Sequence, residues 1–301
     1  MIRKINNQDQ SFPQRIVCLS AETTELLYAL GAGNRVVGVS GYSKRPPEAC
    51  QKPKVSGFTS AKTDLILELK PDLVLAFSDL QAGMAKDLIE KGANVLTLNQ
   101  RSIPETLQTA LWLGRLIGAE KQAQRYVEAF RSEIDRAQSR AALFSERPRV
   151  YFEEWDDPMI SGIAWVGEII EIAGGRDIFP ELSACKSASD RIVKSDEVIG
   201  RDPQIILASW CGKKVQKEKI LVRKGWDKID AVKNKQIFEI KSSDILQPGP
   251  SLLRGLREVQ EIIAKHVNGH CKESNDEALC HGTIHSSSTT GLLRRPKASS
   301  Q

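Results

Sequence analysis

Two stretches decide the fold: "TDLILELKPDLVLAF" (63–77) and "SDEVIGRDPQIILAS" (195–209). Each opens with a hydroxyl residue and an Asp, the side chains that favour a helix start. Each runs a short helical segment into a proline, then an apolar, β-branched run through Leu-Ala. Proline disfavours helical geometry in the residue before it, so the helix ends there. The predicted unit is helix, tight link, buried strand.

The similarity extends outward. "TELLYALGAGNRVVGVS" (24–40) resembles "GEIIEIAGGRDIF" (167–179), each a helix with a small apolar face stopped at Gly31 or Gly174. Strand-like runs precede them, "RIVCLS" (15–20) and "RVYFEEW" (149–155), and others follow, "ANVLTL" (93–98) and "QIFEI" (236–240). The order strand, helix, helix, strand, helix, strand therefore occurs twice. Such alternation builds parallel sheets flanked by helices. Between the halves, "AEKQAQRYVEAFRSEIDRAQSRAALF" (119–144) lacks Gly and Pro and is rich in helix formers. At ~1.5 Å per residue it spans about 38 Å. The expected fold is α/β, with two Rossmann-like lobes, each a parallel sheet flanked by helices, joined by one long α-helix. The expected organisation is an arm at 1–14, a lobe at 15–118, the interlobe helix at 119–146, a second lobe at 147–269 and a tail at 270–301. The tail is rich in Ser, Thr and charge and reads as disordered.

Composition narrows the function. The 301 residues are 41% apolar and 27% charged, with a net charge of +5. No basic stripe is interleaved with aromatics, which argues against nucleic acid as a partner. No run approaches the roughly 18 apolar residues of a membrane span, so the chain is not expected to be membrane-embedded. The opening "MIRKINNQDQSFPQRIVCLS" lacks the apolar core of about 7–15 residues of an export signal. As written, the chain reads as cytoplasmic. It reads as periplasmic if the true start differs or a leader has been removed. The six cysteines form no C-x-x-C pair and read as reduced thiols. Cys271 and Cys280, beside His270 and His281, match no zinc spacing, and no metal site is expected.

Ligands of open α/β sheets bind beyond the carboxyl ends of the strands. "SWCGKK" (209–214) falls on such a loop, with Cys211 beside Lys213 and Lys214. A neighbouring cation can activate a thiol, but a nucleophilic cysteine needs a base. The histidines, His266, His270, His281 and His285, all lie at or beyond the last helix. The loop is therefore expected to touch a ligand rather than to catalyse. "GFTSAKT" (57–63) lacks the glycine that a phosphate loop needs before its Lys-Thr pair. "EEWDDP" (153–158) offers carboxylates without a histidine and reads equally as a solvated turn. Trp112, in the amphipathic "TALWLGRLIG" (109–118), is expected to pack.

"RIVCLSAETTELLYALGAGNRVVGVSGYSKRPPEA" (15–49), "LKPDLVLAF" (69–77), "WVGEIIEIAGG" (165–175) and "ILQPGPSLLRGLREV" (245–259) resemble ABC-transporter substrate-binding proteins with a rigid interlobe helix. Among these the chain is similar to the vitamin B12-binding family, over about residues 15–267. The resemblance implies a non-catalytic protein, and nothing in the sequence calls for a cofactor or for more than a monomer. It would capture cobalamin or another corrinoid in the interlobe cleft for uptake by an ABC permease. It also implies that lobe one offers Tyr42, Phe58 and Phe77, the last two where the family often has Trp. Lobe two would offer Glu153, Trp155, Trp165, Trp210, Cys211 and Lys213, followed by Asp244 and Gln247 before "PGP". Asp190 and Arg191 stand where the family keeps an aromatic, making the site more polar. The exposed acids through which this chain would dock on the permease are Glu48 in lobe one and Asp196 or Glu197 in lobe two. A ferric siderophore is the alternative ligand, favoured by Lys213, Lys214 and Arg191. A cytoplasmic enzyme using Cys211, and a protein recruiting a partner through residues 270–301, are the alternatives of other classes.

Overall fold

The apolar runs pair into two five-stranded sheets, one in each half of the chain. The computed structural model describes residues 11–280. In lobe one, β1 (Ile16–Cys18), β2 (Val36–Ser40), β3 (Lys54–Ser56), β4 (Leu73–Phe77) and β5 (Val95–Leu98) lie in the order β3-β2-β1-β4-β5. Every pair is parallel. In lobe two the strands are β6 (Arg149–Asp156), β7 (Met159–Ser161), β8 (Arg176–Asp177), β9 (Ile205–Ala208) and β10 (Ile237–Glu239). β10, β9 and β6 are parallel neighbours, β8 pairs parallel with the start of β6, and β7 runs antiparallel beside it.

Helices connect these strands. Lobe one has α1 (Ala21–Ala29), α2 (Pro47–Cys50), α3 (Thr63–Glu68), α4 (Ala82–Glu90) and α5 (Ile103–Leu116). The link is α6 (Glu120–Ala141). Lobe two has α7 (Ala164–Ile172), α8 (Pro180–Ser183), α9 (Ser195–Arg201), α10 (Lys217–Leu221), α11 (Asp230–Lys233) and α12 (Ser242–Ile245), then α13 (Leu252–Cys280). The two-lobed α/β fold with a long joining helix is the one expected. The sequence reading found three strands per lobe, whereas each sheet has five. β2 lay within a stretch read with its helix, and β3, β7 and β8 have only two or three residues, too few to show a period. α13 continues to Cys280, so the first part of the stretch read as a tail is helical. No proline interrupts it before residue 281, and Glu, Lys and Ala favour the helix. Residues 1–10 and 281–301, and the side chains of His270, Cys271 and Cys280, lie outside the described residues, as therefore does the metal reading placed on them.

The two deciding stretches share a joint. Lys70 and Asp202, each directly before a proline, take left-handed backbone angles with φ of 48° and 42°. This turns the chain from helix into strand more sharply than the extended geometry expected there. Asp tolerates that region because its short side chain bonds locally, and Asp202 accepts from Asp230 N at 2.9 Å. Lys70 is exposed and has no such compensation. Lys70→Gly is expected to raise stability by about 0.5–1 kcal/mol, the relieved strain less the entropy of glycine, read as a higher urea midpoint. The helix starts also differ from expectation. Thr63 and Ser195 are first helical residues, not caps. Ser195 Oγ accepts from Trp226 Nε1 at 2.7 Å, and Glu197 closes the start of α9 by accepting from Lys194 N at 2.7 Å.

One apolar core runs through both lobes. It joins Ile16, Val36 and Leu75 of lobe one to Val127 and Phe130 of α6, Val150, Phe152 and Ile205 of lobe two, and Leu256, Val259 and Ile263 of α13. Alternation along β6 puts Tyr151 on the opposite face, in a second core with Ile206, Trp210 and Trp226. Trp112 does not pack as expected and is 58% exposed. The buried stripe of α5 is Ile103, Leu107, Ala110 and Leu113, and Trp112 sits one residue off it, about 100° around the helix.

Candidate functional site

The carboxyl ends of both sheets meet at a junction fastened by named contacts. Gln100 Nε2 donates to Pro248 O at 3.3 Å. Ile103 N, at the start of α5, donates to Glu168 Oε2 of α7 at 2.6 Å. Arg45 reaches from lobe one to Ser243 O at 2.5 Å, Ser251 Oγ at 2.7 Å and Asp244 Oδ1 at 2.7 Å. Its other partner is Glu25, at 3.0 Å, which also accepts from Ser251 Oγ. Gly249 lies against Glu22, where an added Cβ would come within 2.8 Å of the Glu22 Cβ. Glycine is therefore required for the lobes to approach so closely.

Glu22 is the anomaly of this junction. Its side chain is buried in the first turn of α1, just beyond β1, and Oε1 has no hydrogen-bond partner. Burial pushes its carboxyl up to about 7, and Glu25 adds to the rise against a lowering hydrogen bond from Ser20. Gln100 Oε1 is likewise buried without a partner.

In lobe one, Tyr42 and Phe58 stand 47% and 46% exposed on the loops after β2 and β3. Gln81 sets the Phe58 loop. It donates to Leu19 O at 3.1 Å and Phe58 O at 3.2 Å, and accepts from Phe77 N at 2.9 Å. One buried amide thus ties three strand ends together. Phe77, expected to touch ligand, belongs instead to the core. The Arg101 guanidinium lies 5.7 Å from its ring centroid and is held by Asp79 at 2.6 Å.

In lobe two, Trp155 is half-buried, and Lys213 Nζ sits 3.9 Å from its ring centroid. Lys213 also meets Asp156 Oδ1 at 2.5 Å. Burial raises the Asp156 carboxyl, but the hydrogen bond of Lys213, a backbone hydrogen bond and the charges of Lys213 and Lys219 together more than offset this and leave it lowered. Trp210, expected as a contact, is buried and donates to Glu153 Oε1 at 3.0 Å. Glu153 is fully buried and is paired with both terminal nitrogens of Arg223. Arg191 is also buried, gripping Glu154 at 2.6 and 3.1 Å and donating to Ser161 O. Trp165 is buried with Nε1 on Ile245 O at 2.9 Å, and Asp244 is buried against Arg45. These buried groups position the site rather than line it. Gln247 is half-buried and Cys211 exposed. Gly212, at φ 77°, turns the loop after Cys211.

The accessible set is thus Tyr42, Phe58, Trp155, Cys211, Lys213 and Gln247. Burial, then Glu154, push the Cys211 thiol up, opposite to what a nucleophile needs. Among the described residues no group of three or more His, Cys, Asp or Glu is placed to hold a metal ion. Sequence reasoning missed Arg45, Gln81, Gln100, Arg101 and Arg223. Arg45 had a signal, a lone Arg before a Pro pair on a strand-end loop, whereas "LVRKGW" (221–226) gives none for Arg223.

A model of the family described as periplasmic binding protein matches residues 16–243. An ABC transporter substrate-binding lipoprotein of Bacillus subtilis, YvrC, is 31% identical over 276 residues, covering 86% of this chain and 83% of the relative. A vitamin B12-binding protein of Vibrio parahaemolyticus is 24% identical over 254 residues, covering 82% and 88%. A possible iron-binding, periplasmic solute-binding protein of Staphylococcus epidermidis has a solved structure 28% identical, with TM-score 0.73, covering 83% of this chain and 98% of that one. The periplasmic heme-binding protein RhuT of Roseiflexus shares the fold at 21% identity and TM-score 0.74, covering 84% and 99%. The resemblance to vitamin B12 binders is accordingly not favoured over iron and heme binders.

Proposed function

This chain belongs to the periplasmic binding protein family, and from that premise we propose that its interlobe cleft captures a cobalamin-like corrinoid. Membership makes it a non-catalytic binding protein for ABC-type uptake of a small ligand, which sets aside the Cys211 enzyme. Of the two compartments weighed from the sequence, the family supports the periplasmic one.

The corrinoid reading rests on one observation. The strand-end cations Arg101, Arg191 and Lys213 are each already matched to a carboxylate, Asp79, Glu154 and Asp156, and of the cations read as ligand partners only Lys214 has no ion pair among the described residues. A siderophore with acidic arms, or heme with two propionates, asks for cations free to pair. A corrinoid asks for flat apolar faces and neutral hydrogen-bonding groups along an amide rim, and it brings its own metal and axial base. Tyr42 and Phe58 on one wall and Trp155 on the other supply the faces. Gln247 supplies an amide partner. For permease docking, Glu48 and Asp196 are the exposed acids, since the Glu197 carboxylate is taken up at the start of α9.

The test is titration of the purified protein with cobalamin, cobinamide, hemin and ferric siderophores, read by quenching of tryptophan fluorescence. Saturation by a corrinoid at micromolar affinity or better is the expected result. Trp155→Ala is expected to weaken it at least about tenfold, ~1.4 kcal/mol, as removal of a central aromatic anchor does. Cys211→Ser is expected to leave affinity within about threefold, ~0.7 kcal/mol. Saturation by hemin alone, with an absorbance band lost in Tyr42→Phe, would replace the corrinoid by heme.

A further inference from the structure

Positive charge is concentrated in one stretch of lobe two. Residues 211–235 hold nine Lys and Arg against three Asp and Glu, a surplus larger than the +5 of the entire chain. The segment comprises α10, α11 and the turn between them, and Ile220, Trp226 and Ile229 anchor it in the second core. Lys213, Lys219 and Arg223 are spoken for by Asp156 and Glu153. Lys224, Lys228, Lys233 and Lys235 are exposed and make no ion pair among the described residues. At the end of α10, Leu221 is 40% exposed and Val222 is 80% exposed. Lys219 and Lys224 flank this dipeptide in sequence.

Lysines held in water keep a protein soluble, but that does not account for a valine and a leucine presented beside them. An apolar tip within a cationic field is what the headgroup layer of an acidic membrane accommodates: apolar side chains enter the acyl boundary and ammonium groups meet lipid phosphates. We propose that this flank of lobe two rests on an anionic lipid bilayer, with Leu221 and Val222 inserted and Lys224, Lys228 and Lys233 on the headgroups. The contact is peripheral, because no described helix is long and apolar enough to cross a membrane. None of Leu221, Val222, Lys224, Lys228 and Lys233 is among the residues assigned to the cleft, so the proposal does not depend on which ligand is captured.

The test is co-sedimentation of the full chain with phosphatidylcholine vesicles, with and without phosphatidylglycerol. Binding is expected only with the anionic lipid, and is expected to fade at about 0.5 M salt, where screening is strong. Lys224→Gln, Lys228→Gln and Lys233→Gln together are expected to weaken it about tenfold or more. Val222→Asn is expected to weaken it several-fold with no change of charge. Lys86→Gln with Lys91→Gln, on lobe one, is expected to leave it intact. Circular dichroism and cleft titration should match the parent in all variants, as these side chains are on the surface. Absence of binding to phosphatidylglycerol vesicles overturns the proposal, as does equal binding to phosphatidylcholine alone. Full binding by Val222→Asn, with displacement by soluble polyphosphate, also overturns it and leaves a polyanion site instead.

Discussion

Replacing Arg223 with Ala is expected to cost about 3–5 kcal/mol, the loss found when a buried ion pair is broken by removing one partner. Glu153 is fully buried on β6, and Arg223 meets it through both terminal nitrogens, while Trp210 Nε1 supplies a third donor. Without the guanidinium, one indole N–H is left to stabilise a carboxylate in the interior of lobe two. The carboxyl must then take up a proton or draw in water, and either disturbs Trp210 and Tyr151 around it. The same guanidinium lies 4.5 Å from the Trp226 ring centroid, so its removal also takes away a packed face. Urea unfolding followed by tryptophan fluorescence reads the loss directly. The double variant Glu153→Gln, Arg223→Met should recover most of it, because an uncharged pair leaves no buried ion uncompensated. A loss below about 1 kcal/mol in Arg223→Ala would mean that this buried pair adds little to stability.

Glu22→Gln is expected to act in the opposite direction, and only at one end of the pH scale. The native carboxyl titrates at about 7 against an ordinary value of 4.5. Between those values the folded chain keeps a proton that the unfolded chain has released. Stability from this group therefore falls as pH rises through the window from 4.5 to about 7, and is flat above it. The cost at pH 8 is about 3 kcal/mol, at ~1.4 kcal/mol per pH unit of displacement. Glu22→Gln removes the charge, so it should raise the unfolding midpoint at pH 8 and leave it nearly unchanged at pH 4. Asp177, raised by burial to about 6, adds a smaller slope of the same sign that this variant does not remove. Equal effects of Glu22→Gln at both pH values would show that lost contacts, not ionisation, dominate.

The architecture was legible where periodicity carried it. Leu73–Phe77 and Ile205–Ala208 are buried on both faces, and their continuous apolar runs announced strands of a parallel sheet. Lys54–Ser56 and Met159–Ser161 gave no such sign, because three residues contain no period. The site was legible only as a set of loops. Trp155 and Trp210 both sit near strand ends with charged neighbours, yet one is half-buried and the other buried. What separates them is Arg223, far along the chain, which turns Glu153 inward and draws the Trp210 indole after it. Likewise Arg191 has the sequence position of a ligand cation, but Glu154 occupies its guanidinium. Burial of this kind is set by partners distant in sequence, and local pattern cannot report it.

The shared core has a consequence for how this fold can be taken apart. Ile16 and Leu75 of one lobe belong to the same apolar body as Val150 and Ile205 of the other, through Phe130 and Ile263. The lobes are thus not interchangeable modules. A chimera that grafts lobe two of a relative onto lobe one of this chain would meet a mismatched seam unless α6 and α13 travel with it. Either lobe produced alone would present half of that body to water. The internal repeat visible in the sequence is a duplicated pattern whose two copies share one core.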